Sequence, residues 1–243
     1  MPEAMRTFQC RVEAPVALDA MADLLGRLER RLYAEIAAGA VDMNAVKRDF
    51  IASHGLTARQ FNALRVRVEG AISGVREALK TQADDIETRI KAQDVKIKKL
   101  DRAVRIEKDA EKRAAAKHQR HQRKRRRAIL LQKADALRAR LARPAPGICF
   151  GSRKLFRAQF EAEANGCSDH GAWAAEWRAA RSGHVFCLGS KSETAGNQTC
   201  QGWVEDDGSI SVKLRLPNAL IINDGKHLIL TGLRFRYCHA AVA

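Results

Sequence analysis

The stretch ICFGSRKLFRAQF, residues 148–160, sets a glycine, a serine and three cations within seven positions. Gly151 allows a backbone angle or a close approach that other residues resist. Ser152 can cap the helix that follows, whose first amides carry partial positive charge beside Arg153, Lys154 and Arg157. That combination suits a phosphate. The same residues equally describe a plain strand-to-helix cap with exposed cations.

A second candidate is KHQRHQRKRRR, residues 117–127, with seven cations and two histidines. No acid occurs between Glu111 and Asp135. On a helix, Arg120, Arg123, Lys124, Arg125, Arg126 and Arg127 surround the axis, and their mutual repulsion costs stability unless an anion lies alongside. A nucleic-acid backbone is the expected neighbour, and such contacts position the polymer without reading bases. The bland alternative is a solvated charged helix. His118 and His121 lack the cysteines or second histidine pair of a zinc site.

The third candidate is a basic sheet face. In SISVKLRL, Ile210, Val212, Leu214 and Leu216 alternate with Lys213 and Arg215; in LRFRYCH, Arg234 and Arg236 alternate with Leu233, Phe235 and Tyr237. Cations on the outward face of two strands suit a nucleic-acid groove. The polar loop LGSKSETAGNQTC adds Lys191, Asn197 and Gln198, as backbone contacts or as a simple connection. Trp173 and Trp177, one helical turn apart, are expected in a core. No P-loop, G-x-S-x-G, H-E-x-x-H or C-x-x-C occurs, and no strand carries an acidic trio for two metals.

The elements that must position these groups follow from the periodicities. The 243 residues carry 44 Lys and Arg against 28 acids, a formal charge of +16, which favours a polyanionic partner. No apolar run approaches a membrane span, the N-terminus lacks a signal pattern, and six dispersed cysteines fit a reducing cytoplasm. MRTFQCRVEA alternates like a half-buried strand. Leu24, Leu28, Leu32 and Ile36 mark a helix, Met43 to Ser53 a second, and Gly55 and Thr57 a stop and restart.

Between Gly74 and Pro144 there is no glycine or proline. Val75, Leu79, Gln82, Ile86, Ile90, Gln93, Ile97, Leu100 and Val104 form a near-heptad seam. Ile129, Leu130, Leu131, Ala134, Leu137 and Leu141 could fold back on it as an antiparallel hairpin. Beyond Pro144 come two helical pieces, KLFRAQFEAEA and SDHGAWAAEWRAAR, and five short alternating stretches, with EDDGS as a hairpin loop. The reading is α+β: a β module of about six strands, enough for a small antiparallel β-barrel or a sandwich, split by an inserted helical lobe. Residues 1–15 supply its first strand, 16–143 the helical bundle or antiparallel coiled coil, and 144–243 the rest of the β module.

The blocks ICFGSRKLFRAQF, WRAARSGHVFCLGSKSETAGNQTC and GSISVKLRLP, with LTARQFNAL and MRTFQCRV, resemble the N-terminal half of TnpB-type proteins. These are RNA-guided DNA endonucleases of insertion sequences, kin of type V CRISPR effectors. The resemblance covers essentially the whole chain. It implies a wedge-like barrel and a helical recognition lobe that grip a structured guide RNA and its duplex with target DNA, in a prokaryotic, nucleoid-associated cytoplasmic protein with no membrane partner. It makes Gly151, Ser152, Arg153 and Lys154 RNA-backbone contacts. The family's RuvC-like nuclease domain, which would use Mg, and its zinc site have no counterpart in these residues. The expectation is therefore a chain that is no enzyme alone and needs no cofactor. Two alternatives are one half of a split endonuclease completed by a separate RuvC-like polypeptide, and a coiled-coil scaffold.

Overall fold

The fold is α+β, six α-helices and a three-stranded antiparallel sheet among the described residues, which in this computed structural model are 9–39, 42–189, 197–221 and 225–235. The chain divides into two compact units, Met1–Glu69 with Cys149–Ala243, and Gly70–Ile148.

The first unit opens with α1, Val16–Ala37. Met21, Leu25, Leu28 and Leu32 are its buried stripe, broader than the leucine steps alone predict, while Leu24 and Ile36 are half-buried. Helix α2, Met43–His54, starts on Asp42, whose carboxylate accepts from the Asn44 and Ala45 amides, and stops at Gly55 in the left-handed region. At the restart Thr57 and Gln60 form a reciprocal capping box: Gln60 N donates to Thr57 Oγ1 (3.2 Å) and Thr57 N to Gln60 Oε1 (2.9 Å). Gln60 then donates through Nε2 to Arg215 O, tying the start of α3 to the sheet.

After residue 148 come α5, Arg153–Ala158, a 3₁₀ turn at Glu163–Asn165, and α6, His170–Ser182. Helix α6 crosses α1 at Gly26, where a Cβ would lie 2.6 Å from Arg181 O. Strands β1 (Cys200–Val204), β2 (Ile210–Arg215) and β3 (His227–Leu233) pair in chain order. The EDDGS turn joins β1 to β2 as expected, closed by Glu205 N donating to Ser209 O and by Gly208 at positive φ.

Among the described residues three of the six anticipated strands are present. Residues 184–189 form no strand, and neither do residues 9–15 of the opening segment. Residues 1–8 and 236–240, the rest of that segment and of LRFRYCHA, lie outside the described residues. The sheet of the described strands does not close.

The second unit contains most of α3, Ala58–Ile106, and α4, Ala110–Leu141. The boundary at Glu69 puts α1, α2 and the first turns of α3 with the sheet, where periodicity alone groups all of 16–143 together. The chain reverses at 107–109, where Asp109 caps α4 by accepting from the Glu111 and Lys112 amides. Leu79, Gln93, Ile97 and Val104 of α3 and Ala134 and Leu137 of α4 are buried, whereas Gln82 of the expected seam is exposed.

Candidate nucleic-acid interface

Residues 70–148 hold 23 Lys and Arg against 10 acids, a net of +13 out of the chain's +16. The unit with the sheet is left with only +3 over twice the length. Charge is thus concentrated on the helical hairpin, and the sheet unit is close to neutral.

Within the hairpin the basic run divides into two sets. Arg120 Nη1 meets Asp101 Oδ1 at 3.1 Å, and Arg127 pairs with Asp94. Arg138 meets Glu87 at 3.0 Å. The three acids recur every seven residues on α3, so each faces α4 on the same side of the pair. These ion pairs fix the antiparallel register, although each, being half-exposed, adds at most about 1 kcal/mol. Not all of these cations find a carboxylate: Arg120 and Arg127 do, and their partners come from another helix, beyond the reach of local spacing. Arg123, Lys124, Arg125 and Arg126 form no ion pair among the described residues, and all but half-buried Arg123 are exposed. They remain available to an external anion.

The glycine-serine-basic stretch has an internal explanation for its first two residues. Gly151 sits at φ +92°, and a Cβ there would lie 2.9 Å from Trp177 Cζ3. Ser152 Oγ accepts from Leu155 N at 2.9 Å, the cap that sequence anticipates. Arg153, Lys154 and Arg157 are exposed and form no ion pair among the described residues. Behind them Trp173 is buried, donating from Nε1 to Leu155 O at 2.7 Å. Trp177 stacks on Trp173 with centroids 6.2 Å apart, and the Arg181 guanidinium lies 4.8 Å over Trp177. Both tryptophans thus pack internally, as their spacing suggests.

The sheet cations are less free than alternation implies. Arg215 donates to Lys226 O (3.0 Å) and to Asn218 Oδ1 (2.9 Å). Arg234 donates to Asp207 O and Oδ2, clamping the β1–β2 turn. Ser211, on the face expected to be basic, is fully buried. The picture of an open basic sheet is corrected accordingly. What remains is a cluster of Lys213, Arg215 and Lys226 around His227, whose pKa is lowered first by burial and then by those charges. Asn197 turns its carboxamide inward, accepting from Thr199 N and Oγ1. Gln198 is exposed; Lys191 and Arg236 lie outside the described residues.

Local patterns missed two constellations. Glu29, only 9% exposed at its side chain, pairs with Arg67 at 2.8 Å. Both line a cavity with Gln60, His184, Cys187 and Arg215. Cys187 hydrogen-bonds Cys200; that bond lowers the Cys200 pKa to about 7 and raises that of Cys187. These pairs join residues 13 or more apart, so no short motif announces them. Among the described residues no three His, Cys, Asp or Glu side chains gather as a metal site, and no helix is long and apolar enough to cross a membrane. The chain matches no family model, no curated protein and no solved structure.

Proposed function

We propose that this chain is a nucleic-acid-binding protein whose main binding element is the α3–α4 hairpin. The observation that carries this reading is the +13 net charge held by residues 70–148, with Lys124, Arg125 and Arg126 exposed and unpaired among the described residues. An exposed polycation of this density releases counterions when a phosphate backbone lies along it, and its contacts are indifferent to sequence.

In finer form, the protein is a TnpB-like module that grips a structured guide RNA and its duplex with target DNA, cleavage belonging to a RuvC-like domain elsewhere. Its β part would be a wedge-like barrel split by a helical lobe. Support for the split lies in the composition of the first unit, in which residues before 70 and after 148 share one compact body interrupted by the hairpin. Against the scaffold alternative stands the pairing of α4 of the same chain with α3, through Arg120–Asp101, Arg127–Asp94 and Arg138–Glu87.

Binding of a structured RNA and of duplex DNA, followed across a salt series, tests the reading. The expected result is a steep fall in affinity with salt. The slope should become shallower once Lys124, Arg125 and Arg126 are changed to Gln, by about 0.9 for each duplex phosphate no longer neutralised. Absence of retention at low salt, or a slope untouched by the triple change, overturns it.

A further inference from the structure

We propose that the outward face of α5 is a second, separate binding surface: a stacking site for unpaired nucleotides of a single strand, built on Phe156 and Phe160. It rests on the reading that this protein binds nucleic acid, and it assigns a different ligand form to a different surface.

Phe160 is 77% exposed and Phe156 46%. They lie four positions apart, so they project from the same side of α5 and the turn that ends it. A single exposed apolar side chain is ordinary; here two exposed aromatic residues stand four positions apart among three cations. Arg153 and Arg157 fall on that same side by helical spacing, with Lys154 flanking. Leu155 and Ala158 are the residues turned inward, half-buried and buried. No acid occurs between residues 144 and 160; Glu161 and Glu163 follow only beyond the end of α5.

Phe156, at the base of this face, is backed rather than loose. The Phe156 ring lies 5.6 Å from Trp177, which stacks on Trp173, which in turn is bonded to the α5 backbone at Leu155. The Arg181 guanidinium lies over Trp177 as well, and Gly151 leaves room for the indole. A ring held in this way offers its face with little entropy left to lose. Aromatic faces with adjacent cations suit a single strand, whose bases stack while its phosphates meet the guanidinium and ammonium groups. A duplex keeps its bases stacked on one another and cannot use the rings. The chemistry is shared by RNA and DNA.

The test uses the full chain with a short oligouridine, a short oligothymidine and a blunt DNA duplex. Phe160→Ala should weaken both oligonucleotides about 5- to 140-fold and leave duplex affinity unchanged. Phe160→Trp should retain binding, and Phe160→Leu should behave like the alanine variant. Phe160 is so exposed that none of these changes threatens folding; Phe156→Ala is read only where the melting curve is unaltered. A greater loss with oligouridine assigns the site to RNA, and a greater loss with oligothymidine to DNA. Equal single-strand affinity in wild type and Phe160→Ala overturns the proposal, as does full affinity in Phe160→Leu. Loss of retention on phosphatidylglycerol vesicles by Phe160→Ala, with oligonucleotide binding intact, also overturns it, in favour of a lipid surface. Failure of duplex binding in the wild type would strike the hairpin reading instead, so the two outcomes are separable.

Discussion

Gly151 abuts the indole of Trp177 so closely that a methyl group in place of its hydrogen would stand 2.9 Å from Cζ3. The residue that most resembles a phosphate-loop glycine is thus required by a packed tryptophan. Its φ of +92° adds a second restriction, because side chains other than hydrogen are strained there.

Gly151→Ala is expected to cost about 1–3 kcal/mol. Urea unfolding should show the lower midpoint, and near-ultraviolet circular dichroism should report the displaced Trp173–Trp177 stack. An unchanged midpoint would mean that the backbone there relaxes freely.

Neutralising Asp94 and Asp101 should strengthen polyanion binding. Asp94→Asn with Asp101→Asn raises the net charge by two and releases Arg127 and Arg120, while each broken surface pair costs at most about 1 kcal/mol. Salt-dependent titration of a duplex should give tighter binding and a steeper slope than wild type. Weaker binding would assign the two ion pairs to presenting the hairpin rather than to restraining its charge.

These pairs mark the division between what sequence reveals and what it hides. Features whose partners lie within a few residues were legible: the Thr57 restart, the Ser152 cap, the Gly55 stop and the EDDGS turn. So was the folding back of α4 on α3, because two apolar stripes of matching period need each other. Arg234 read as an outward cation because its carboxylate partner, Asp207, stands 27 residues away. HVFCLGS alternates as a strand should, yet residues 184–189 pair with no neighbour in the described sheet. Alternation reports which side is buried; a strand also needs an open edge at the right place.

Arg67→Met should destabilise the first unit by about 3 kcal/mol, since it leaves the Glu29 carboxylate buried beside an apolar group. Adding Glu29→Gln should recover part of that loss, because a neutral amide tolerates burial better. Chemical denaturation of the two single variants and the double variant measures the coupling. Additive losses would show that the two side chains act independently.

Cys200 should react with iodoacetamide at a lower pH than an ordinary thiol. The hydrogen bond from Cys187 holds its pKa at about 7, against an ordinary 9.0, so the thiolate accumulates as pH rises through neutrality. Cys187→Ala removes the donor and should move the inflection upward. Identical profiles in the two proteins would show that the hydrogen bond has no hold on the thiol.

Acid should weaken the fold by way of His54 and His227, both lowered from the ordinary 6.5 mainly by burial. The unfolded chain then binds protons more readily than the folded one, so stability is complete above 6.5 and declines as pH falls below it. Thermal melts on either side of that pH should show the decline, and His54→Gln should reduce it. A melting temperature equally sensitive to pH in the variant would exclude His54 from the effect.

The uneven partition of charge bears on how the protein comes to be folded at all. The sheet unit can condense with little electrostatic work against it. Residues 70–148 must bring two like-charged helices side by side, and a polyanion, if bound there, would screen that work most. An RNA present during synthesis would then act as a template that raises the melting temperature of residues 70–148 selectively. In its absence, the same segment should be the first to open and the first to be cut by a protease that prefers lysine and arginine.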